Sequence, residues 1–307
     1  MREYLTGKVH IEFETDIVEL NCDPSGSGFI LQGAKGECFR ADYVILAPGR
    51  EGSGWLSDVA DRLRLSTSIN PVDIGLRVEV PASIMEPITR VIYEAKLHYR
   101  SKRFNDPVRT FCMCPNGEVI REDLGGLYAV NGHSYAHRKT ANTNFAVLVS
   151  TSFTEPFKEP ISYGKHIARL ANLLGGEVIV QRFVDLQLGR RSTRERIQNG
   201  PIMPTLESAT PGDLSFVLPY RHLANIIEML EALDGLIPGI NSDQTLLYGV
   251  EVKFYSLQLK LSPTMETEIP NLFGAGDGVG VSRGLVQASA SGLLAAREVG
   301  KRIGRQG

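Results

Sequence analysis

Apolar and polar positions alternate in short runs through most of this chain and settle into helical spacing in only a few places. Residues 9–13 alternate and are partly β-branched, so they predict a strand that residues 16–20 continue. Residues 21–28 (NCDPSGSG) are dense in turn formers, and residues 29–32 and 37–40 predict returning strands of a small antiparallel meander. The run Asp42-Tyr43-Val44-Ile45-Leu46-Ala47-Pro48-Gly49-Arg50 is apolar without alternation until it breaks at Pro-Gly. That pattern predicts a strand buried on both faces, as in a parallel sheet. Residues 55–65 have helical period.

The character changes at Asn70-Pro71. Residues 72–80 (VDIGLRVEV) alternate over a long strand, and 91–98, 108–113, 127–130, 146–152 and 178–184 read as further strands. Helices are expected at 163–174 and 223–233. This middle block is mixed and mostly antiparallel in flavour. The chain then returns to an apolar strand at Leu272-Phe273. It ends in a helix whose Leu285, Ala288, Gly292, Ala296, Val299 and Ile303 fall on one face at helical spacing.

Composition narrows the classes. The 307 residues suffice for two domains at roughly 100–200 residues each. A net charge of −2 argues against a nucleic-acid or membrane-surface protein. Four cysteines make no secreted disulfide framework, so a reducing cytoplasm is expected. The opening MREYLTGKVHIEFE has no apolar signal-peptide core, and no apolar run approaches the ~18 residues of a membrane helix.

Residues 267–292 (TEIPNLFGAGDGVGVSRGLVQASASG) carry the strongest chemical signal. A strand runs into a turn with glycine at every second position, Gly274, Gly276, Gly278 and Gly280, around a single acid, Asp277. Glycines let backbone approach a ligand closely, and the helix N-terminus beyond favours negative charge. G-x-G-x-x-G is nowhere complete: after Gly274 and Gly276 the third glycine would stand at Val279.

Taken together, VILAPGREG and IPNLFGAGDGVGVSRGLVQASASGLLAA resemble the FAD-dependent oxidoreductases with the glutathione-reductase type of FAD fold. Within them the chain is most similar to uncharacterised bacterial FAD-dependent dehydrogenases, through RTFCMCPNGEV (109–119), VNGHSYAHRKTANTNFAVLVS (130–150) and LYGVEVKFYS (247–256) as well. The resemblance implies an α/β fold: a partial FAD/NAD(P)-binding Rossmann-type domain from residues 1–69 and 264–307, with an inserted, strand-rich α+β substrate domain at 70–263. It implies that Ala47 and Gly49 form the turn near FAD, with Pro48 where that group has Thr. It also implies that Asp277 bonds the ribityl or pyrophosphate end, and that the amides at Gly280, Val281 and Ser282 face the flavin pyrimidine ring. Such proteins begin with a strand, G-x-G-x-x-G and a helix for the ADP half of FAD. This chain begins downstream of that pattern, so it is expected to be the C-terminal portion of a longer protein and to hold FAD weakly or not at all by itself.

Other constellations have a plain and a functional reading each. Cys112 and Cys114 lie at i and i+2 in an expected strand, their side chains ~6.5 Å apart on one side. They read as half-buried thiols, with a redox dithiol or a zinc site with His133 and His137 as alternatives. His133, in a polar stretch, reads as a proton donor or acceptor beside a flavin or as a loop histidine with a structural bond. Arg190, Arg191 and Arg194 read as a solvated basic face or as a site for an anionic substrate or FAD phosphates. Arg283, at the start of the last helix, opposes the helix dipole and reads as an anion contact or as a solvent-facing side chain.

The leading expectation is thus the substrate-domain-containing part of a cytoplasmic FAD-dependent oxidoreductase. In the whole protein hydride would pass between FAD and a small organic substrate, or NAD(P)H as donor, with no metal, nucleic acid or membrane involved. The alternative is a non-catalytic binding module that keeps the fold without a working flavin site.

Overall fold

The structure is a computed structural model that describes residues 2–26, 28–49, 52–68, 71–153, 160–253, 257–282 and 284–306. In chain order the elements are α1 (Arg2–Leu5), β1 (Ile17–Cys22), β2 (Phe29–Gly33), β3 (Cys38–Ala41), β4 (Val44–Leu46), α2 (Ser53–Leu63), β5 (Thr67–Ser68), β6 (Val72–Pro81), α3 (Ala82–Thr89), β7 (His98–Arg100), β8 (Pro107–Cys114), β9 (Glu118–Asp123), β10 (Tyr128–His133) and β11 (Asn142–Thr151). Next come α4 (Pro160–Gly175), β12 (Ile179–Arg182), α5 (Phe183–Gln187), α6 (Arg194–Gln198), β13 (Thr210–Pro211), α7 (Tyr220–Asp234), β14 (Leu246–Lys253), β15 (Gln258–Leu259), β16 (Leu272–Gly274) and α8 (Leu285–Gln306). Two compact units result, residues 1–70 with 255–307, and residues 71–254. The second crossing lies ahead of the apolar return at Leu272 because β15 pairs antiparallel with β5.

In the first unit β1, β2 and β3 form the antiparallel meander, and β4 pairs parallel with β16 in the register Val44↔Leu272, Leu46↔Gly274. Leu46, Leu56, Val59, Leu272 and Val279 share its core. Residues 9–13 form no strand; Val9, Ile11 and Phe13 are exposed. Alternation predicts a strand only where a neighbouring strand can take the backbone hydrogen bonds, and among the described residues no strand is paired with 9–13.

The second unit is built on a seven-stranded sheet ordered β13-β12-β14-β6-β11-β8-β7, antiparallel except for β12 with β13. On one face Val72, Ile74, Leu76, Val78 and Val80 of β6 join Phe145, Val147 and Val149 of β11 and the apolar sides of α4 and α7. The other face carries Asp73, Arg77 and Glu79 of β6, yet all three are buried. The β9–β10 hairpin covers Arg77: a Cβ added to Gly132 would stand 2.2 Å from Arg77 Nη1 and 2.3 Å from Asn144 Oδ1. Asp73 is instead bonded by Arg109 of β8 and Ser150 of β11. Arg77 Nε donates to Glu251 Oε2 at 2.7 Å and Nη2 to Glu251 Oε1 at 3.0 Å. Its Nη1 donates to Asn144 Oδ1 at 2.7 Å and to the Cys112 carbonyl at 3.1 Å. Among the described residues no cation pairs with Glu79, which accepts from Tyr248, Thr205 and Asn142; burial nonetheless raises its carboxyl above the usual range. A register shift between Tyr248 and Glu251 lets these two residues, an odd number apart, both serve this polar face.

Two further strands are shorter than their patterns suggest. Residues 91–97 are irregular, because the Thr110 side chain takes up the local backbone: its Oγ1 accepts from Leu97 N–H and donates to the Ala95 carbonyl. The run 178–184 splits into β12 and α5 at Phe183. There Asp185 is fully buried and accepts from Arg182 Nε at 3.0 Å, Arg190 Nε at 2.8 Å and Ser192 Oγ at 2.7 Å, with Arg196 Nη1 3.6 Å away.

These buried charges make stability testable at two points. Arg77→Met leaves Glu251 without its main partner and should cost about 3–5 kcal/mol in urea unfolding, much of it recovered in Arg77→Met/Glu251→Leu. A double variant no more stable than the single one would show that the packing of Arg77, rather than its charge, holds the strands.

For Asp185, burial raises the carboxyl, but the bonds from Arg182, Ser192 and Arg190 outweigh it and hold it at about 2. The native state therefore binds the proton less readily than the unfolded chain. This contribution is complete above the ordinary aspartate value and is lost as pH falls from about 4 to about 2. The parent should lose about 2 kcal/mol more than Asp185→Asn between pH 5 and pH 2. Equal acid losses in the two proteins would mean that Asp185 does not set the acid limb.

Candidate functional site

The parallel pair β4–β16 brings two turns to the same end. Each strand is so short that its main effect is to position the turn at its carboxyl end, which is where ligands sit in open α/β sheets. After β4 comes Ala47-Pro48-Gly49, with Gly49 at φ 67°. After β16 comes Ala275-Gly276, a single 3-10 turn over Asp277–Val279, and Gly280 in left-handed backbone at φ 78°. The turns touch backbone to backbone: a Cβ on Gly278 would lie 2.5 Å from the Gly49 carbonyl oxygen and 2.7 Å from its nitrogen. Only glycine permits that approach. Among the described residues nothing lies within 4 Å of a Cβ added to Gly49, and beside Gly276 only the Ala288 methyl at 3.8 Å, so with respect to them the rim of the double turn is open at these two residues.

The glycine amides have internal uses. Gly274 N–H donates to the Met265 carbonyl, Gly276 N–H to Ser291 Oγ at 2.9 Å, and Gly280 N–H to the Asp277 carbonyl at 3.0 Å. At these three positions glycine therefore makes room and sets the chain direction. Asp277 is half-buried and accepts from Ser282 Oγ at 2.8 Å, while Ser282 and Gly278 are buried and Val281 and Gly280 half-buried. Arg283 lies outside the described residues.

The last helix is turned away from the face expected for it. Ser291 and Ala295 are buried and Ala288, Gly292, Glu298, Val299 and Arg302 half-buried, whereas Leu285, Ala296 and Ile303 are exposed. Polar ties set the rotation: Ser291 holds Gly276, and Arg302 bonds Glu266 and Asn271 just ahead of β16. Apolar periodicity could not show this, because the residues that anchor the helix are polar. Leu285, Val286, Leu293, Leu294 and Ile303 are left on the outside.

The remaining candidates belong to the second unit. His133 ends β10 opposite Glu118, is exposed, and has its ring 4.3 Å from that of Tyr135. Its neighbour Ser134 donates to the Pro115 carbonyl at 2.7 Å, so the His133 loop borders the Cys112–Gly117 turn. Arg190 is engaged by Asp185, while Arg191 and Arg194 are exposed and their loop is tied down by Arg196 donating to the Arg191 carbonyl. The acid at the centre of this cluster escapes sequence reading because Asp185 directly follows the expected strand 178–184, and its burial comes from the turn into α5. Among the described residues no group of three or more His, Cys, Asp or Glu side chains could hold a metal, and no helix is long and apolar enough to cross a membrane.

Three likenesses accord with this geometry. Residues 206–306, which include α7, β14, the Asp277 turn and α8, match the model for glucose inhibited division protein A. An uncharacterized protein of Clostridium beijerinckii is 27% identical over 288 residues, covering 86% of this chain and 52% of that protein. The chain thus spans about half the length of this curated relative. Residues 71–254, more than half of the chain and the whole of the sheet unit, match the model for FAD-dependent proteins, C-terminal domain-like, and the chain belongs to that family.

Proposed function

We propose that the chain supplies the flavin-side turns and the substrate-bearing domain of an FAD-dependent oxidoreductase that passes hydride between FAD and an organic substrate or a nicotinamide donor. The observation that carries this reading is the double glycine turn, closed at Gly278 and open at Gly49 and Gly276, at the carboxyl ends of two adjacent parallel strands. An open rim of bare backbone is what a flat, electron-rich group needs to come within contact distance. In this reading Ala47, Gly49, Gly274, Gly276, Gly278 and Gly280 shape the rim. Asp277, oriented by Ser282, accepts from the cofactor's hydroxyls, and Val281 and Ser282 lie next to the start of α8, whose dipole favours negative charge. FAD, when bound, supplies the hydride-accepting ring. His133 is the candidate for a proton donor or acceptor toward substrate, and Arg191 and Arg194, exposed and unlike Arg190 not turned onto Asp185, are candidates for an anionic substrate group.

One observation favours the second reading, a binding module without flavin chemistry: the amides of Gly274, Gly276 and Gly280 are spent inside the protein. Fewer donors then remain for an anionic cofactor.

The purified chain is expected to carry less than equimolar FAD by its absorbance. Helix-dipole contributions of ~0.3–1 kcal/mol per charge cannot reach the ~8 kcal/mol of micromolar affinity. Titration followed by flavin fluorescence should show weak binding that Asp277→Ala reduces at least ~10-fold, the equivalent of one good charged hydrogen bond, with circular dichroism unchanged. Gly278→Ala should force the two turns apart and abolish the same signal. Tight equimolar FAD unaffected by both substitutions would place the cofactor elsewhere in the chain. Absence of any binding, even in a longer protein containing this chain, would favour the module.

A further inference from the structure

Cys112 and Cys114 stand where β8 leaves its regular register. Cys114 faces Asn144 and Phe111 faces Ala146, so three steps along β8 match two along β11. Cys112 lies in this bulge with left-handed backbone, φ 47°, a conformation that side chains other than glycine resist and that clusters at functional positions. Arg77 helps to hold it there by donating to the Cys112 carbonyl. Met113 turns into the apolar core, which leaves both cysteines to the polar face.

The two thiols differ in setting. Cys112 is half-buried and Cys114 buried, and they hydrogen-bond each other. The Cys114 sulfur also reaches the Cys112 carbonyl oxygen at 3.5 Å. The charges around Cys112 are Arg77 from β6, Glu251 and Lys253 from β14 and, through Lys253 at 3.2 Å, Glu122 from β9. Glu251 is already paired by Arg77 and by Lys253 at 3.4 Å. The bond from Cys114, helped by Arg77 and Lys253 against burial and Glu251, draws the Cys112 thiol below the usual cysteine range. The same bond, and then burial, pushes Cys114 up. An accessible thiolate beside a buried thiol has the polarity of an attacking and a resolving sulfur.

We propose that Cys112 and Cys114 are a dithiol pair that reduces low-molecular-weight disulfides, with Cys112 attacking and Cys114 resolving. The Cys112 thiolate attacks one sulfur of the disulfide, forming a mixed disulfide and expelling the other half as thiolate. Cys114 gives its proton to that thiolate and attacks the Cys112 sulfur, expelling the second half. One disulfide is reduced to two thiols while the two cysteines are oxidised to one intramolecular disulfide. Extended chain puts the Cα atoms of an i, i+2 pair ~6.5 Å apart, near the upper end of what a disulfide spans. The bond is therefore expected to be easily reduced. The site uses residues of the sheet unit alone and stands whether or not the flavin reading holds.

The test uses the full chain with Cys22→Ser and Cys38→Ser, which removes the two exposed thiols outside this unit. Oxidised glutathione is added at neutral pH, the reaction is stopped with acid, and intact mass and peptide mapping are read. The expected product lacks two hydrogens and carries no glutathione. Cys114→Ser should stop at one glutathione on Cys112, and Cys112→Ser should react at least ~10-fold more slowly. At pH 6, iodoacetamide should modify Cys112 at least ~10-fold faster in the folded chain than in urea, and Lys253→Met should slow it. A persistent mixed disulfide in the chain with both cysteines, first modification at Cys114, or a Cys112 no faster folded than unfolded would each overturn the proposal.

Discussion

One guanidinium organises the sheet unit. Arg77 rises from β6 and makes hydrogen bonds to β8 through the Cys112 carbonyl, to β11 through Asn144, to β14 through Glu251 and, at 3.4 Å, to Asn131 of β10. A charge without access to water is tolerated only when its donors are satisfied. Satisfying these requires five strands to keep their spacing and register. Gly132 is bare because Arg77 lies against it, and the bulge at Cys112 has its carbonyl turned to the same group. Buried apolar area is indifferent to direction, so the face built from Val72, Ile74 and Leu76 could not by itself fix this alignment.

The first unit solves a different problem with the opposite means. Its turns are placed by removing side chains, with Gly278 against Gly49 as the point of contact. The surrounding polar ties, Ser291 to Gly276 and Ser282 to Asp277, then lock the turn onto the helix beyond it. A surface of open backbone supported from behind is suited to a ligand that needs shape and a few acceptors rather than a cluster of charged groups. The basic loop of the other unit shows why charge counts mislead: Arg182, Arg190 and Arg196 converge on one internal acid, which spends part of a cluster that looks free in the sequence.

Much of the architecture was legible in one dimension. The long alternating strand at β6, the apolar strands β4 and β16, the helices α4 and α7 and the glycine turn all derive from period, branching and turn chemistry. These depend on residues close in sequence, and so does the family resemblance carried by the Asp277 turn and by the Cys112 segment. The sequence alone also determined that the molecule has a strand-rich middle flanked by the two halves of a parallel pair.

Tertiary structure decided the rest, because it turned on partners distant in the chain. Residues 9–13 have the pattern of a strand and no strand to pair with among the described residues. The alternation of β6 gives no sign that its polar side is closed off, yet Asp73, Arg77 and Glu79 are all buried, with the β9–β10 hairpin lying over Arg77. The rotation of α8 is set by Ser291 and Arg302 rather than by its leucines. Cys112 and Cys114 read as an ordinary pair on a strand until the bulge, Arg77 and Lys253 give them unequal surroundings. In each case the sequence specified the side chain and its period, while its environment came from a segment that no local pattern could name.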